Sequence, residues 1–186
     1  IGEDPLNVDK LYHKMLMLTA GAGAQSGVTV TAASGIEIAL WDLAGKALNL
    51  PVYQLLGGKF RDKIRVYCDT ALYQRNLPIP KDFADAALKS KSMGFNAMKF
   101  DLDQANDPNK YDLYNWTASP AELQRMYDQI AAAREAVGPN IDILVDMHGR
   151  YDAVTAQAIA KRLEPLNLMW LEEPIPAENV EAYKLI

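Results

Sequence analysis

The feature that most constrains the fold of this chain is a regular alternation of short apolar segments with longer amphipathic ones. Apolar segments of six or seven residues, bounded by polar or turn residues, have the pattern of buried β-strands. They span residues 64–69, 95–101, 141–146 and 168–174. The amphipathic segments between them predict helices over residues 81–94, 119–138 and 153–166. Strands that alternate with helices predict an α/β fold, in which a parallel sheet is covered by helices.

Two architectures satisfy this alternation: an open doubly wound sheet or a closed (β/α) barrel. A dinucleotide-binding doubly wound domain carries a G-x-G-x-x-G turn after its first strand. No such turn follows residues 64–69, which weakens that alternative. Four strand–helix units would make half of an eight-stranded barrel.

The first 60 residues have a different, helix-rich pattern. A helix is predicted over residues 8–18, followed by a loop rich in Gly, Ala, Ser and Thr over residues 21–33. Ser34 and Glu37 have the spacing of a capping box, so a second helix is predicted to begin at Ser34. The alternation of strands and helices begins only after this region.

Composition and charge argue against several classes of protein. The net charge of −5 argues against a surface that binds nucleic acid. Cys68 is the single cysteine, so no internal disulfide can form, which fits a cytoplasmic protein. No apolar run approaches the roughly 20 residues that a membrane span needs. Because the chain begins at Ile1 without a methionine and ends within a predicted helix, we expect a fragment of a longer protein.

Polar and charged residues mark the ends of all four predicted strands. They are Asp69 on the first strand, Lys99 and Asp101 on the second, Asp146 and His148 on the third, and Glu172 and Glu173 on the fourth. In a barrel these ends lie around one mouth, which is where barrel enzymes place their catalytic residues. In any fold, a single polar strand end is as consistent with an ordinary turn as with a site.

Two of these carboxylates suggest a metal. Asp146 and Glu172 end successive strands and are 26 positions apart, the length of one strand–helix unit. Carboxylates that converge at a barrel mouth repel each other unless one is protonated or a cation lies between them. A few hard oxygen ligands, completed by water and substrate, suit Mg²⁺. The residues alone therefore allow a divalent-metal site.

Four segments of the sequence also resemble a known family. They are "SGIEIALWDLAGKALNLPVYQLLGG", "AMKFD", "ILVDMHGR" and "WLEEP". In this order and spacing they resemble the mandelate racemase and muconate lactonizing enzyme branch of the enolase superfamily. The resemblance implies a TIM-type (β/α)7β barrel under an α+β capping domain. Residues 1–60 would then be the end of the capping domain with its linker helices, and residues 61–186 the first four units of the barrel.

The resemblance also implies roles for individual residues. Asp146 and Glu172 match two of the family's Mg²⁺ ligands, and the third would lie beyond Ile186. Lys99 matches the first lysine of a lysine-x-lysine pair and is expected to take part in catalysis. Lys99 and Arg150 are candidates for holding substrate oxygens.

The sequence departs from the racemases at one position. Asp101 stands where their second lysine acts as a base, which argues against racemisation, and we expect Asp101 to face the substrate instead. The arrangement D-x-H-G-R, from Asp146 to Arg150, resembles the acid-sugar dehydratases of the galactonate type. In those enzymes the histidine, here His148, protonates the leaving hydroxyl.

The predicted function is therefore a Mg²⁺-dependent dehydratase acting on an aldonate or aldarate. The enzyme would abstract the proton α to the carboxylate, stabilise the enediolate with Mg²⁺, and expel the β-hydroxyl to give a 2-keto-3-deoxy acid. The resemblance places the base on later strands. Two alternatives stay open: a racemase or epimerase, and a relative that binds an acid sugar without catalysis. The expected partners are a small acid sugar and further copies of the chain in a homo-oligomer.

Overall fold

The computed structural model describes residues 2–19, 26–111, 114 and 116–186. The chain divides into two compact units, residues 1–64 and residues 65–186. The first unit is helical, and the second contains the sheet.

The described part of the first unit contains three helices: α1 (Val8–Leu18), α2 (Gly27–Leu48) and α3 (Val52–Leu55). Asn49 adopts a left-handed conformation at the C-terminus of α2 and turns the chain toward α3. Gly45 allows this turn to be tight, because a Cβ atom there would lie 2.7 Å from the Leu50 carbonyl oxygen. The Leu50 N–H in turn donates a hydrogen bond of 2.8 Å to the Gly45 carbonyl.

The predicted start of the second helix is wrong. α2 begins at Gly27, with Ser26 as its N-cap, so Ser34 lies inside the helix and cannot cap it. Residues 28–33 are alanines and β-branched residues without proline or glycine, which a helix accommodates at small cost. The Thr31 hydroxyl donates to the Gly27 carbonyl at 3.2 Å within the helix. Residues 21–25 of the predicted loop, and residue 20 before it, lie outside the described residues.

The second unit is built on a four-stranded parallel sheet with the strand order β1-β2-β3-β4. Its strands are β1 (Cys68–Asp69), β2 (Ala97–Asp101), β3 (Asp142–Asp146) and β4 (Trp170–Glu172). The order follows the sequence, without the reversal that marks the switch point of a doubly wound sheet. Sequential parallel order is the arrangement of successive strands in a (β/α) barrel.

Helices alternate with these strands along the chain. They are α4 (Pro80–Ser92), α5 (Pro120–Val137), α6 (Ala153–Leu163) and α7 (Val180–Tyr183), with 3-10 turns at Leu72–Gln74 and Glu164–Leu166. Proline occupies the first position of α4 and of α5, where its missing N–H costs nothing. Among the described residues, no helix is both long and apolar enough to span a membrane.

The core of the second unit lies between the sheet and its helices. Met98 and Phe100 of β2 join Ile143 and Val145 of β3 in this core, and the Phe100 ring stacks on Phe83 of α4 at 5.3 Å between centroids. Because side chains alternate along a strand, the residues between these apolar ones face the opposite side of the sheet. Lys99 is one of them, and the functional site lies on that side.

The strands are shorter than predicted, above all β1, which covers two of the six expected residues. Among the described residues, β1 and β4 are the edge strands of the sheet, and each forms hydrogen bonds with a single neighbouring strand. Their assigned lengths are therefore limited to the residues that pair with that neighbour. The predicted strand positions are nevertheless occupied in order, and their C-terminal ends meet at one edge.

Candidate active site

The register of the sheet brings three predicted site residues onto one rung. Asp101 of β2 pairs with Asp146 of β3, and Asp146 pairs with Glu172 of β4. All three are the last residues of their strands, so three carboxylic acids meet where the backbone leaves the sheet. Lys99, two residues before Asp101, points to the same side.

Lys99 joins two of these acids. Its Nζ donates to Asp146 Oδ2 at 2.7 Å and to Glu172 Oε1 at 3.2 Å. The Lys99 and Asp146 side chains are nearly buried, with 12% and 6% of their surfaces exposed, whereas Glu172 keeps 34%. Burial alone would lower the pKa of Lys99, but the two carboxylates outweigh it and raise the pKa. The ammonium therefore stays charged between the two predicted metal ligands.

The Asp146 carboxylate is held on both sides. Its Oδ1 accepts the His148 backbone N–H at 3.1 Å, while Oδ2 accepts from Lys99. Burial would raise the pKa of Asp146, but the hydrogen bonds from Lys99 and from the His148 N–H lower it overall. Asp146 is thus an ionised, oriented oxygen donor.

Glu172 is oriented by a residue that the sequence did not single out as functional. The Trp170 indole N–H donates to Glu172 Oε2 at 3.1 Å, so Lys99 and Trp170 each hold one oxygen of the carboxylate. The Trp170 ring also makes an edge contact with Tyr67, at 5.9 Å between centroids. A tryptophan next to a strand end carries no sequence signal for this role.

His148 lies in a tight turn immediately after β3. It has a φ of +49°, an uncommon conformation for a residue with a side chain, and Gly149 follows at +62°. The turn is fixed by the Gly149 N–H, which donates to the Glu173 carbonyl at 2.7 Å. A Cβ atom on Gly149 would come within 3.4 Å of Pro176 Cα.

The His148 imidazole is paired with Asp103, two residues beyond β2. His148 Nδ1 lies 2.9 Å from Asp103 Oδ1, and Nε2 lies 3.7 Å from Asp146 Oδ2. Burial would lower the pKa of His148, but the hydrogen bond to Asp103 and the nearby charges of Asp146 and Asp101 raise it. His148 is therefore suited to hold a proton near neutral pH.

Asp103 also binds Arg150, whose Nε donates to Asp103 Oδ2 at 2.6 Å. The Asp103 side chain is 7% exposed, whereas 58% of the Arg150 side chain is open to solvent. The sequence does not single out Asp103, because an aspartate in a polar loop has no periodicity or spacing that separates it from a solvated one. Its burial and its two partners become visible only in the structure.

Asp101 is the third acid of the rung and is buried. Burial raises its pKa, His148 partly offsets this, and the neighbouring acids Asp69, Asp146 and Asp103 raise it further. Ligand atoms of Asp101, Asp146 and His148 also lie within 4.8 Å of one another. A second grouping could therefore hold a cation here, besides the predicted pair of Asp146 and Glu172.

The donors fit a magnesium ion on chemical grounds. Asp146 and Glu172 share a single positive charge, which Mg²⁺ could replace or supplement with oxygen coordination. The grouping that includes His148 supplies an imidazole nitrogen, a donor that Mg²⁺ accepts less readily than oxygen. The pair of carboxylates is thus the better match.

A polar cavity of about 760 Å³ opens beside these residues. Its wall includes Lys99, Asp101, His148 and Arg150, together with Arg75 and Asp69. Four of the six predicted site residues thus line one cavity. The other two, Asp146 and Glu172, bind Lys99 in the wall of that cavity. Three cationic side chains in its wall suit an anionic, hydroxylated ligand.

Buried ion pairs attach the loop between β2 and α5 to its surroundings. Lys110 and the Tyr151 hydroxyl both donate to Glu122 Oε1, at 2.8 and 2.9 Å, and Asp107 pairs with Arg125. Ser119 caps α5 by accepting the Glu122 N–H. Glu122 has the spacing from Ser119 that would complete a capping box, but its side chain binds Lys110 and Tyr151 instead.

Two family profiles match the sequence. One, described as the enolase C-terminal domain-like family, covers residues 82–186, and the other, the mandelate racemase/muconate lactonizing enzyme N-terminal domain, covers residues 1–57. Together they span both units of the structure. The exact boundary between the domains, at residues 60 and 61, remains a prediction.

Curated relatives carry the names of acid-sugar dehydratases. The chain is 39% identical over its whole length to a D-xylonate dehydratase of Haloferax volcanii, and matches 45% of that protein. It is 35% identical, over 99% of its length, to a D-gluconate dehydratase of Thermoproteus tenax, and matches 35% of that protein. The chain thus spans less than half the length of these two relatives.

A solved structure has the same fold. A mandelate racemase/muconate lactonizing enzyme-like protein from Rubrobacter xylanophilus superposes with a TM-score of 0.88 and is 41% identical. The superposition covers 98% of this chain and 49% of that one. The predicted fold, the first half of a TIM-type barrel with the end of a capping domain, is confirmed.

Proposed function

The chain belongs to the mandelate racemase/muconate lactonizing enzyme family, with its enolase-like C-terminal domain, and on that basis we propose that the protein is a Mg²⁺-dependent acid-sugar dehydratase. The substrate would be an aldonate or aldarate, and the product a 2-keto-3-deoxy acid. The names of the relatives from Haloferax volcanii and Thermoproteus tenax support this substrate class.

One observation carries the proposal. Two carboxylates that converge on a single positive charge, Asp146 and Glu172, stand beside His148, whose pKa is raised. A cation site and a proton donor at one mouth are two of the three groups that the loss of a β-hydroxyl from a carboxylic acid requires, the third being the base that takes the α-proton. Bound beside these carboxylates, Mg²⁺ would supply Lewis-acid stabilisation of the negative charge that develops on the substrate.

The side chains of this chain would act as follows. The cationic groups of Lys99 and Arg150 hold the substrate's carboxylate and hydroxyl oxygens in the cavity. A base, expected on later strands from the family resemblance, takes the proton α to the carboxylate, and the electron pair of that carbon–hydrogen bond forms the carbon–carbon double bond of the enol. His148 transfers its proton to the β-hydroxyl oxygen as the carbon–oxygen bond breaks, so water leaves rather than hydroxide. The resulting enol takes up a proton and becomes the keto acid. In this mechanism Asp101 contacts substrate hydroxyls and does not act as the base of a racemase.

We also propose that the protein is cytoplasmic and forms a homo-oligomer. The single cysteine fits a reducing compartment. Tyr111, Tyr114 and Trp116 expose 65%, 88% and 53% of their surfaces on one loop, and aromatic residues of this kind are common in subunit interfaces. Light scattering coupled to size-exclusion chromatography of the protein and of a Trp116→Ser variant would test this part.

The dehydratase is tested by incubating the purified protein with Mg²⁺ and a panel of aldonates and aldarates. Formation of a 2-keto acid, detected as its semicarbazone, is expected with at least one sugar acid and should be lost in EDTA. Exchange of the α-hydrogen with deuterated water without dehydration would indicate a racemase or epimerase instead. Binding of an acid sugar without either reaction would indicate the non-catalytic relative.

A further inference from the structure

We propose that Asp103 is a positioning residue of this site: its two carboxylate oxygens orient the His148 imidazole and the Arg150 guanidinium toward the bound substrate. The inference rests on the proposed function, because it assigns a supporting role to the proton donor of that reaction. It concerns a residue that the sequence did not point to and that holds two side chains from a different loop.

The geometry makes Asp103 a two-sided clamp. Oδ1 lies 2.9 Å from His148 Nδ1, and Oδ2 accepts the Arg150 Nε–H at 2.6 Å. The carboxylate is 7% exposed, whereas the side chains it holds are 46% and 58% exposed. The nearly buried Asp103 carboxylate has little conformational freedom of its own. Its hydrogen bonds therefore limit the rotamers of the more exposed His148 and Arg150 side chains.

The backbone under Asp103 is itself fixed. The preceding residue, Leu102, is fully buried, and its N–H donates to the Asp146 carbonyl at 3.2 Å. Its carbonyl accepts a hydrogen bond of 3.2 Å from Arg125 on α5. Asp103 therefore extends from a segment tied both to β3 and to a helix, and its carboxylate has a defined place.

The hydrogen bond between Asp103 and His148 determines which imidazole nitrogen can give its proton to the substrate. An ionised carboxylate only accepts hydrogen bonds, so Nδ1 must be the protonated nitrogen that faces Asp103. Nε2 then faces the side of Asp101 and Asp146, 3.7 Å from Asp146 Oδ2, where the reacting atoms would lie. A carboxylate that holds the second nitrogen of a catalytic histidine fixes both the tautomer and the direction of proton transfer.

The Asp103 carboxylate also orients the Arg150 guanidinium. Its Nε is occupied by Asp103, which leaves the outer edge of the guanidinium for the cavity whose wall it forms. Because Asp103 uses a separate oxygen for each partner, the two side chains can be held at once. One substitution at Asp103 should therefore release both.

The test combines ring ¹⁵N NMR of histidine-labelled protein with steady-state kinetics. In the wild type, recorded above the His148 transition, the His148 signals should show the Nδ1–H tautomer, and a His148→Asn variant identifies them by subtraction. In Asp103→Asn, we expect a mixture of tautomers and a fall in kcat of about 10²- to 10⁴-fold, with a rise in KM of less than about tenfold.

Asp128→Asn is the control, since it removes the same charge from an exposed aspartate of α5 whose side chain accepts from Gln124 and not from His148 or Arg150. It should keep the Nδ1–H tautomer, and kcat should stay within about threefold. Arg150→Met should raise KM while leaving the tautomer unchanged. Circular dichroism checks that each variant is folded.

Asp103 is not a positioning residue if Asp103→Asn keeps both the single tautomer and the wild-type kcat. A failure of the proposed function gives a different result. If the wild type turns over no acid sugar, the tautomer shift in Asp103→Asn still confirms the clamp on His148, and its absence overturns it.

Discussion

Lys99 of β2 donates a hydrogen bond of 2.7 Å to Asp146 of β3, and this ion pair lies where the proposed metal ion would be held. Both side chains are nearly buried, so the pair is only weakly screened by solvent. The lysine supplies the positive charge that keeps two converging carboxylates, Asp146 and Glu172, from repelling each other. A metal ion that binds these acids must therefore compete with a charge of the protein itself.

Replacing Lys99 by methionine should strengthen the binding of Mg²⁺. The variant keeps the length of the side chain but leaves two acids without their shared cation, so the metal meets no competing ammonium. We expect the dissociation constant for Mg²⁺, measured by isothermal titration calorimetry at pH 7.5, to fall by about tenfold, corresponding to about 1.4 kcal/mol. Turnover should be lost, because Lys99 also holds the substrate.

Lys89→Met is the control for this change, since Lys89 is exposed on α4 and its loss alters the net charge by the same amount. Its Mg²⁺ affinity should equal that of the wild type. If Lys99→Met weakened the binding of Mg²⁺, the ammonium would be supporting the metal site instead of competing for it.

Glu172→Gln and Asp101→Asn should separate the two possible cation groupings. If the ion binds Asp146 and Glu172, Glu172→Gln should weaken Mg²⁺ binding by at least tenfold, and Asp101→Asn should change it by less than about threefold. Calorimetry on both variants gives the comparison. The opposite order would place the ion between Asp101, Asp146 and His148, whose ligand atoms also converge.

His148→Asn should abolish dehydration while leaving Mg²⁺ affinity nearly unchanged. Asparagine preserves the hydrogen-bonding capacity of the side chain and tolerates the positive φ of this position, so the turn should survive. Loss of a general acid is expected to lower kcat by about 10²- to 10⁴-fold. His13→Asn, on α1, should have no effect on either quantity. A collapse of metal binding in His148→Asn would make His148 a ligand.

Protonation of Asp107 at acid pH should lower the free energy of unfolding of the protein. Burial raises the pKa of this carboxyl, but the Asn109 backbone N–H and the Arg125 guanidinium lower it more, so the folded pKa lies below the ordinary value of an aspartate. Because the pKa of Asp107 is lower in the folded than in the unfolded protein, its ionised form stabilises the fold at pH values above the unfolded pKa. This stabilisation is lost as the pH falls through the pKa of the folded protein.

Urea denaturation of Asp107→Asn tests this contribution. At pH 7 the free energy of unfolding should fall by roughly 3 kcal/mol, because Arg125 loses its buried partner. Below about pH 4 the difference from the wild type should shrink. Asp128→Asn, at an exposed aspartate of α5, should change stability by less than about 1 kcal/mol at either pH. A difference at Asp107 that does not depend on pH would show that its charge is not the source.

Some features of the fold could not be predicted from local patterns. The start of α2 was placed at Ser34 because a capping signal was present there, but a potential cap inside a continuous helix is simply not used. Glu122 likewise had the spacing of a capping box, yet the buried Lys110 and Tyr151 compete for its carboxylate. The helix-compatible residues before Ser34 decided the first outcome, and contacts more distant in sequence decided the second.

The candidate active site likewise contains residues that the sequence could identify and residues that it could not. Lys99, Asp146 and Glu172 could be selected from the sequence because each lies at or close to the end of a strand, and strand ends are visible as the point where an apolar run stops. Asp103 could not, because its role depends on two side chains of another loop, His148 and Arg150, that come within 2.9 Å of its carboxylate. Trp170 could not either, because a tryptophan in an apolar strand gives no sign that its indole N–H donates to Glu172 of the same strand.

The sequence by itself determined the number of strands, their order along the chain and the set of polar residues at the strand ends, because these follow from short-range patterns of apolar and polar residues. The family follows from the resemblance of four segments of the sequence. Only the tertiary structure decided that Asp101, Asp146 and Glu172 lie on one rung, since the register of a parallel sheet depends on how its helices pack. It also decided that Lys99 bridges two acids and that Asp103 holds His148 and Arg150. Such contacts join residues up to 73 positions apart, and their distances are set by packing.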